Sequence, residues 1–511
     1  MVVYLIYLYN GFIYIPQIFY SSILERNMRH TKRLLALITI VMLAGMQACQ
    51  SPAPDTTGYD LPEPKNIILL VSDGMGYNHV LATNYYEHGE AEAQVYEQPG
   101  WLRLGLATYS AALIDGVDTT YLNGYAPRTA WEDAGYLPTD YTDSGASATA
   151  LSTGEKVFSG SIGIGMEGDT LTHISQAAKA LDKSVGILAS VPLSHATPAG
   201  FLAHNHERSN YEEIGKHMLF HSRADVIMGA GHPGYNNDGE QEEMSSRYIG
   251  SDELWEQIRA NDGRTEFENN GDILYLQDAD GDGNRDPWTF IDEREDFIAL
   301  ADGPAPKRLL GIPQVHNTLN QGRTMGEDER MPFEQPLNEN VPTLEEMTRA
   351  SLNVLEQNEK GFFVMIEGGA VDWASHDNHL GRMIEEQMDF NNSVDAAVEW
   401  VEENSSWDET LIIVTSDHEC GYLTGPNHPE PVNDKVVNRG QGNLPEVAWH
   451  FDSHTNQLVP FYAKGPGVEL FSMFAEEKDP VRGSFLQNTE VAQAIFMMWG
   501  KPDIAVHRLT D

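Results

Sequence analysis

The sequence predicts an α/β protein with a central, mostly parallel sheet, helices on both faces and a large irregular insertion. The first observation is a set of short, fully apolar runs at 67–71, 362–366 and 411–415, typical of strands buried on both faces. The second is that helical patterns lie between such runs, as expected when parallel strands are joined by crossover helices. The third is that residues 209–340 are polar and Gly-rich without clear periodicity, which indicates an excursion from the core.

The individual elements can be assigned in chain order from their periodicity. The predicted strands are residues 67–71, 184–189, 224–228, 362–366 and 411–415. The predicted helices are residues 148–151, 172–181, 380–401 and 490–499, together with one that begins after Thr343. Thr343 and Glu346 form a capping box at the start of that helix. Its apolar side is formed by Leu344, Met347, Val354 and Leu355.

Residues 1–49 are organised like an export signal, with Met28 as an alternative start. Basic residues between Arg29 and Arg33 precede an apolar run over 34–46, and Ala48-Cys49 resembles a bacterial lipoprotein box. A single-span membrane anchor is the alternative, but the apolar run is short for one. Residues 50–64 are Pro-rich and predict a tether, which leaves 65–511 as the main domain, with its insertion at about 209–340. These features predict an exported protein in the periplasm or at the cell surface, anchored by a lipid on Cys49.

The overall charge narrows the range of partners. The 511 residues include 77 acidic and 32 basic side chains, for a net charge of −45. Nucleic-acid binding is disfavoured because the phosphate backbone requires a basic surface. The acids are spread along the chain, which indicates a solvated acidic surface suited to a salty medium. With Cys49 lipidated, Cys420 would have no partner for an intrachain disulfide.

A serine at a predicted helix start is the first candidate for catalysis. Ser144 follows Asp143 and precedes small residues in the run 141–150. There its oxygen would lie near unpaired backbone N–H groups and the positive end of the helix dipole. No histidine stands nearby at a nucleophile–base spacing, so a metal ion is the remaining route to activate this serine. A serine that only caps the helix is the alternative.

Three of the predicted strands lead directly into acidic residues. The run from 67 ends at Asp73, the run from 362 ends at Glu367, and the run from 411 ends at Asp417 and His418. The carboxyl ends of parallel strands share one edge of an α/β sheet, where ligands usually bind. Three carboxylates at the end of core strands are costly unless a cation compensates their charge.

A pair of metal-ligand residues follows the second of these acids. Asp372 and His376 stand four residues apart, a spacing that puts two side chains on one face of a helix. Asp, Glu and His are ligand types of zinc and magnesium. For each acid alone a capping or solvated role is the alternative, but the set together predicts metal binding.

These motifs, in this order, resemble those of the alkaline phosphatase family over residues 65–510. The motifs are Val-Ser-Asp-Gly-Met-Gly at 71–76, Thr-Asp-Ser-Gly-Ala-Ser-Ala-Thr-Ala at 142–150, His-Ala-Thr-Pro-Ala at 195–199 and Asp-Ser-His-Thr at 452–455. The resemblance implies a phosphoric monoester hydrolase that forms a phosphoserine and releases inorganic phosphate from small-molecule phosphate esters. It further implies two zinc ions, one magnesium ion and a homodimer.

The resemblance also implies a role for each matching residue. Ser144 would be phosphorylated and Arg208 would hold the phosphate. The metal ligands would be Asp372, His376 and His454 for the first zinc, Asp73, Asp417 and His418 for the second zinc, and Asp73, Thr197 and Glu367 for the magnesium. Zinc would then activate Ser144 and, later, the water that cleaves the phosphoserine.

Three positions near these motifs depart from part of the family. His195 and Trp373 stand beside the implied magnesium site, where some members carry Asp and Lys. With fewer charges to fix a hydrated magnesium ion, this site is predicted to retain magnesium weakly. Cys420 stands where some relatives have a further histidine, and the alternative is a small buried residue without a role at the site.

An acidic loop in the insertion is a further candidate cation site. It resembles the first nine positions of a calcium-binding loop, although position twelve is Thr289 where glutamate is expected. A structural calcium ion and a plain acidic turn are both open interpretations. The residues that carry the resemblance are Asp278, Asp280, Asp282, Asn284 and Asp286.

Other functions predict different sequence features. A phosphodiesterase of the same superfamily is the main alternative. A sulfatase is disfavoured, because it needs a Cys/Ser-x-Pro-x-Arg motif and Ser144 is followed by Gly-Ala-Ser-Ala. A non-enzymatic lipoprotein that binds phosphate or metal would be expected to lack a ligand or the nucleophile, and the motifs retain all of them.

Overall fold

The computed structural model describes residues 62–113, 120–122, 124–326, 329–426 and 434–501. The predicted signal region and lipoprotein box at 1–49, and the tether as far as residue 61, lie outside the described residues. Within the described ranges, no helix combines the length and the apolar character needed to cross a bilayer.

The strands of the structure are, in chain order, β1 (Asn66–Ser72), β2 (Leu102–Ala107), β3 (Ala111–Leu113), β4 (Thr120–Leu122), β5 (Ser184–Pro192), β6 (Val226–Ala230), β7 (Glu266–Asn269), β8 (Asp272–Tyr275), β9 (Thr289–Ile291), β10 (Leu309–Gly311), β11 (Phe362–Gly368), β12 (Thr410–Thr415), β13 (Glu419–Cys420), β14 (Leu423–Thr424), β15 (Ala448–Trp449), β16 (His454–Thr455), β17 (Val459–Lys464), β18 (Glu477–Asp479) and β19 (Gly483–Gln487). Eleven of them form the main sheet, in the order β18-β19-β2-β17-β12-β1-β11-β5-β6-β10-β9. The seven strands from β12 to β9 in that order run parallel to one another, and β17 is antiparallel to both of its neighbours.

The helices are α1 (Tyr77–Glu87), α2 (Thr129–Glu132), α3 (Ser144–Thr153), α4 (Ile174–Lys179), α5 (Ala196–Ala199), α6 (Tyr211–Lys216), α7 (Asp252–Ile258), α8 (Arg294–Leu300), α9 (Leu344–Leu355), α10 (Ala370–His376), α11 (Leu380–Asn404), α12 (Val468–Phe474) and α13 (Thr489–Met498). A 3₁₀-helix covers Val95–Glu97 and a π-helical turn covers His217–His221. The predicted α/β class, with a mostly parallel sheet surrounded by helices, is confirmed.

The apolar runs behave as the sequence pattern indicates. The five predicted strands correspond to β1, β5, β6, β11 and β12, although β6 begins two residues later than predicted. All residues of these strands are buried. One face of the sheet packs against α9 and α11, through side chains such as Ile68, Leu70 and Val364. Burial on both faces explains why these strands read as continuous apolar runs and not as alternating ones.

The predicted capping box at the start of α9 is also confirmed. Thr343 Oγ1 accepts a hydrogen bond from the backbone N–H of Glu346 at 3.2 Å. Glu346 Oε2 accepts one in return from the backbone N–H of Thr343 at 3.0 Å. Two N–H groups that the helix itself leaves unpaired are thereby satisfied.

The irregular segment at 209–340 contributes to the main sheet as well as to the surface. β6, β10 and β9 extend the parallel sheet beyond β5, while β7 and β8 form a separate antiparallel hairpin. β9 and β10 are only three residues long, which is too short to produce a periodic sequence signal.

Three adjacent strands bring the acidic residues together. β12, β1 and β11 are neighbours, and Val71 of β1 pairs in register with Glu367 of β11. The chain leaves β1 at Gly74, whose φ is 80° and whose missing side chain would meet the Asp372 Cα at 2.6 Å. Only glycine fits so close to another backbone in this conformation. The carboxyl edge of the sheet is therefore where the predicted site residues converge.

Candidate metal centre

The helix that carries Ser144 begins at that residue and is capped by its neighbour. Asp143 is the N-cap of α3, and its carboxylate accepts hydrogen bonds from the N–H groups of Gly145 at 3.3 Å and Ala146 at 3.1 Å. Ser144 is the first residue of the helix and is 2% exposed. The capping role belongs to Asp143, so the Ser144 hydroxyl is left for another function.

One nitrogen atom is the meeting point of a first group of side chains. His418 Nε2 lies 3.2 Å from Ser144 Oγ, 3.4 Å from Asp73 Oδ1 and 3.2 Å from Asp417 Oδ2. In a Ser-His-Asp triad the acid would contact the opposite ring nitrogen from the serine. Here the carboxylates and the hydroxyl approach the same nitrogen, which is the arrangement of ligands around a common ion.

A second group is built in the same way. Asp372 and His376 lie on one face of α10, as their spacing predicts, with Asp372 Oδ2 3.3 Å from His376 Nε2. His454 comes from β16, and its Nε2 lies 3.2 Å from His376 Nε2 and 3.4 Å from Asp372 Oδ1. Two histidine nitrogens face each other here, a contact that a shared cation would stabilise.

The spacing of both groups fits zinc. A tetrahedral zinc ion with nitrogen and oxygen ligands about 2.0–2.1 Å away separates those ligands by about 3.3–3.4 Å. The measured separations are 3.2, 3.2 and 3.4 Å around His418, and 3.2, 3.3 and 3.4 Å in the group with Asp372. The residues therefore have the chemistry and the spacing for two zinc ions.

The residues implied for magnesium lie beside the first group. Thr197 Oγ1 donates to Asp73 Oδ2 at 3.5 Å, and Glu367 is fully buried at the end of β11. Hydroxyl and carboxylate oxygens are the ligand types that magnesium prefers. The structure thus brings these three residues to one place, next to His418.

The buried polar atoms of this centre are unusually poorly satisfied. Both carboxylate oxygens of Glu367, Asp417 Oδ2 and Asp372 Oδ1 have no hydrogen-bond partner within the part of the chain that the structure describes. Burial, together with the charges of neighbouring carboxylates, raises the pKa values of Asp73, Glu367 and Asp417 well above their usual range. Buried carboxylates are normally paired or bound to a metal, so these orphaned oxygens fit a set of cation ligands.

Arg208 is held in place by the residue that caps α3. Its Nη1 donates to Asp143 Oδ2 at 2.8 Å, and both side chains are partly buried. Burial raises the pKa of the Asp143 carboxyl, but the charge of Arg208 and the hydrogen bond with it outweigh this and lower the pKa below its ordinary value. A guanidinium has five N–H donors, of which Asp143 takes one. Arg208 is therefore oriented and still able to bind an anion.

His195 and Trp373 form an aromatic wall next to Arg208. Their rings meet edge to face with centroids 5.6 Å apart, and Tyr211 stacks on the other side of His195 at 6.1 Å. Burial, with a further contribution from Arg208, lowers the pKa of His195 to about 3. His195 is accordingly a neutral side chain at ordinary pH, and it adds no charge to hold a cation.

An open cleft of about 740 Å³ leads to the centre. Its lining includes Ser144, Arg208, His376 and His454 on the inner side. The outer wall comes from the segment that the sequence leaves irregular, and its residues are Asn237, Asn317, Gln321, Gly322, Arg323 and Met325. A small anionic ester could reach Ser144 and Arg208 through this cleft.

Some functional features have no clear signal in the sequence. The pairing of Asp143 with Arg208 joins residues 65 positions apart, although the Asp-Ser pair before a helix is a recognisable cap signal. The amide-rich outer wall of the cleft lies in segments without periodicity. Cys420 also belongs with the group around Asp372, since its sulfur lies within 4.8 Å of the ligand atoms there.

The acidic loop at 278–286 is separate from this centre. Three of its carboxylates, those of Asp278, Asp280 and Asp282, lie close enough together to be a candidate cation site. Lys307 Nζ lies 2.7 Å from both Asp280 Oδ2 and Asp286 Oδ1 and 3.3 Å from Asp282 Oδ2. Asn284 closes the turn by donating its backbone N–H to Asp282 Oδ1 at 2.8 Å. The structure thus places an ammonium group beside the loop, and a calcium ion there stays a prediction.

Fold and site together define the class of this protein. A parallel sheet whose carboxyl edge gathers four buried carboxylates, three histidines and a serine has the make-up of an α/β metalloenzyme. A family model described as alkaline phosphatase matches residues 64–444. The chain belongs to the alkaline phosphatase family, and is thus an enzyme of the phosphatase type.

Individual relatives agree with this assignment. The chain is 25% identical to alkaline phosphatase 3 of Bacillus subtilis, a match that covers 91% of this chain and 96% of the relative. It is 27% identical to the alkaline phosphatase of Escherichia coli, with 79% and 81% of the two chains covered. Among solved structures, a cold-active alkaline phosphatase from Shewanella sp. has the same fold, with a TM-score of 0.57, 24% identity and 86% and 100% coverage.

Proposed function

We propose that this protein hydrolyses phosphate monoesters through a phosphoserine on Ser144 and releases inorganic phosphate. The observation that carries the proposal is the position of Ser144 Oγ, which lies 3.2 Å from His418 Nε2 on a cleft shared with Arg208. Family membership supports phosphate esters as substrates.

The metal ligands follow from the two groups of side chains. We propose that Asp372, His376 and His454 hold one zinc ion, and that Asp73, Asp417 and His418 hold a second. Thr197 and Glu367, with Asp73, would hold magnesium. Ions bound at these positions supply Lewis acidity to the serine hydroxyl, the ester and water. A variant of the TAB5 enzyme from an Antarctic bacterium has been solved with Mg bound in its M3 site, which supports a third metal position in the family.

The chain's own residues carry the bond-making steps. Ser144 Oγ loses its proton to solvent and forms a bond to phosphorus as the bond from phosphorus to the ester oxygen breaks. The ester oxygen keeps the electron pair of the broken bond and takes a proton from solvent, so the product leaves as an alcohol. Arg208 holds two phosphate oxygens in its planar fork and neutralises the charge that develops on them. A water molecule then attacks phosphorus and loses a proton to solvent as the bond from phosphorus to Ser144 Oγ breaks. Ser144 Oγ regains a proton, and phosphate is released.

The same geometry predicts a preference for monoesters over diesters. A monoester has three non-bridging oxygens, of which two can face Arg208 and one the cation pair. A diester lacks one of them, and either loses a guanidinium contact or turns its second substituent toward Glu367 and Thr197. Either change costs roughly a few kcal/mol of transition-state binding. The phosphodiesterase alternative predicts the opposite order of rates.

The test is to trap the phosphoenzyme. A labelled phosphomonoester is mixed with the metal-loaded protein, the reaction is stopped with acid, and the labelled peptide is mapped. We expect phosphate on Ser144 in the wild type and in the control Ser245→Ala, an exposed serine, and none in Ser144→Ala. Phosphate on another residue, or a diester hydrolysed as fast as its matching monoester, contradicts the proposal.

The location, the assembly and the magnesium affinity of the protein are further parts of the proposal. We propose export to the periplasm or cell surface with a lipid on Cys49, which intact-mass analysis of the mature protein can test. We also propose a homodimer, testable by sedimentation. Because His195 is neutral and Trp373 carries no charge, the magnesium position should lose its ion on dialysis. Added magnesium should then restore activity.

A further inference from the structure

Cys420 is delivered to the metal centre by the same small sheet that delivers His454. β13 and β16 form a two-stranded antiparallel ladder in which Cys420 pairs directly with His454. Side chains of directly opposed residues in such a ladder lie on the same face, with Cβ atoms about 4.5–5.5 Å apart. The strand register therefore places the thiol next to a histidine that already faces Asp372 and His376.

The sulfur completes a group of four potential ligands. One ligand atom from each of Asp372, His376, Cys420 and His454 lies within 4.8 Å of the others. Cys420 is fully buried and is not part of a disulfide. A second sign that a cation binds here is Asp372 Oδ1, which is buried and lies 3.4 Å from His454 Nε2 but accepts no hydrogen bond within the described ranges. One carboxylate, one thiolate and two imidazoles are all ligand types that zinc binds in proteins.

We propose that Cys420 is a fourth protein ligand, through its thiolate, of the metal ion held by Asp372, His376 and His454. This rests on the proposed metal centre and specifies its ligands. On binding, the thiol loses its proton to solvent, the metal–sulfur bond forms, and the charge of the cation compensates the added negative charge. A soft thiolate favours zinc over magnesium or manganese at this position.

The additional ligand would change how firmly the ion is held. Ligation would make this ion harder to remove than the one at His418, and would require the phosphate oxygen to enter as an additional ligand.

The experiment reads the sulfur directly. Zinc-loaded full-length protein is examined by zinc X-ray absorption, and the cobalt-substituted protein by its near-ultraviolet spectrum. We expect a sulfur scatterer at about 2.3 Å, close to one sulfur per two zinc ions, and a thiolate-to-cobalt charge-transfer band. Both signals should persist in Cys49→Ser, which changes the other cysteine of the chain, and vanish in Cys420→Ser. Zinc loss to a chelator should be at least tenfold faster in Cys420→Ser than in Cys49→Ser.

The outcomes separate this proposal from the one on which it rests. Two bound zinc ions with only nitrogen and oxygen neighbours in the wild type overturn the ligand role of Cys420 and leave the phosphatase proposal intact. A protein that binds no zinc at all contradicts both. Because the wild-type spectrum alone decides the question, the test holds even if Cys420→Ser folds poorly.

Discussion

Asp143 both caps α3 and orients Arg208, and its replacement can separate the two roles. Its carboxylate accepts hydrogen bonds from the N–H groups of Gly145, Ala146 and Gly160 and from Arg208 Nη1. Asparagine is as good an N-cap as aspartate but carries no charge. We expect Asp143→Asn to retain the helix cap and to lose most of the charged hydrogen bond to Arg208, whereas Asp143→Ala should lose both interactions.

The size of each effect follows from the contacts. A hydrogen bond between charged groups contributes roughly 1.5–3 kcal/mol. The Arg208 and Asp143 side chains are 23% and 19% exposed, so the lower end, about 1.5 kcal/mol, applies. This contact keeps the Arg208 guanidinium in the position that binds phosphate. Loss of about 1.5 kcal/mol should therefore raise the inhibition constant of inorganic phosphate about tenfold.

The effect of the cap on thermal stability is small in a domain of this size. Loss of an N-cap costs about 0.5–2 kcal/mol. An unfolding entropy of ~2.1 cal/mol/K per residue amounts to about 0.9 kcal/mol/K over residues 65–511. Loss of the cap should therefore lower Tm by about 0.5–2 °C, and loss of the contact with Arg208 by about a further 1.6 °C. Asp143→Ala, which loses both, should lower Tm by about 2–4 °C, and Asp143→Asn by less than about 2 °C.

The assay combines competitive inhibition by phosphate with thermal unfolding. Wild type, Asp143→Asn and Asp143→Ala are compared with Asp408→Asn, which neutralises an exposed carboxylate in the turn before β12. The inhibition constant should rise in both Asp143 variants, while Tm should fall further in the alanine variant than in the asparagine variant. The reasoning is refuted if phosphate inhibition is unchanged in both, or if asparagine lowers Tm as much as alanine.

Three further predictions concern stability. Burial, with the charges of Asp389 and Glu385, raises the pKa of Glu386 to about 8 from 4.5. The native state thus keeps a proton that the unfolded chain releases, so stability falls as pH rises from about 4.5 to 8. In Glu386→Gln, Tm should no longer fall between pH 4.5 and 8, and the protein should be more stable than wild type by up to about a few kcal/mol at pH 8. The same pH dependence of Tm in wild type and variant would contradict a buried, protonated Glu386. Lys307→Met should lower Tm in calcium-free buffer, and millimolar calcium should restore it, because either the Lys307 ammonium or a calcium ion can compensate the charge of the carboxylates at 278–286. An unchanged Tm in the variant would argue against a stabilising role for the contact of Lys307 with the loop. Removal of the two proposed zinc ions by a chelator should lower Tm by roughly 4 °C for each site that had been kept at a free zinc concentration 1,000 times its Kd, and equal Tm values with and without metal would contradict zinc binding to the folded protein.

Features that depend on local periodicity and burial could be predicted from the sequence alone. The strands β1, β11 and β12 read as apolar runs because both of their faces are covered, and each leads into a buried acid at the carboxyl edge of the sheet. The capping box of α9 and the pairing of Asp372 with His376 depend on residues three or four apart, so short-range geometry determines them. The α/β class and the acids at the sheet edge follow from such signals, whereas Thr197, Arg208 and His454 were predicted only from the resemblance to the family.

Contacts between distant segments were decided by the tertiary structure. His418 and Ser144 are 274 residues apart, and their approach depends on strand order and on where α3 docks, neither of which appears in local periodicity. The pairing of Cys420 with His454 depends on the register of two strands of only two residues each. The short strands β9 and β10 and the outer wall of the cleft come from a segment without a repeating pattern. Its buried apolar residues, such as Leu309, Val315 and Leu319, join the main core at irregular spacing, because the segment is held by strand pairing with β6 and by isolated core contacts.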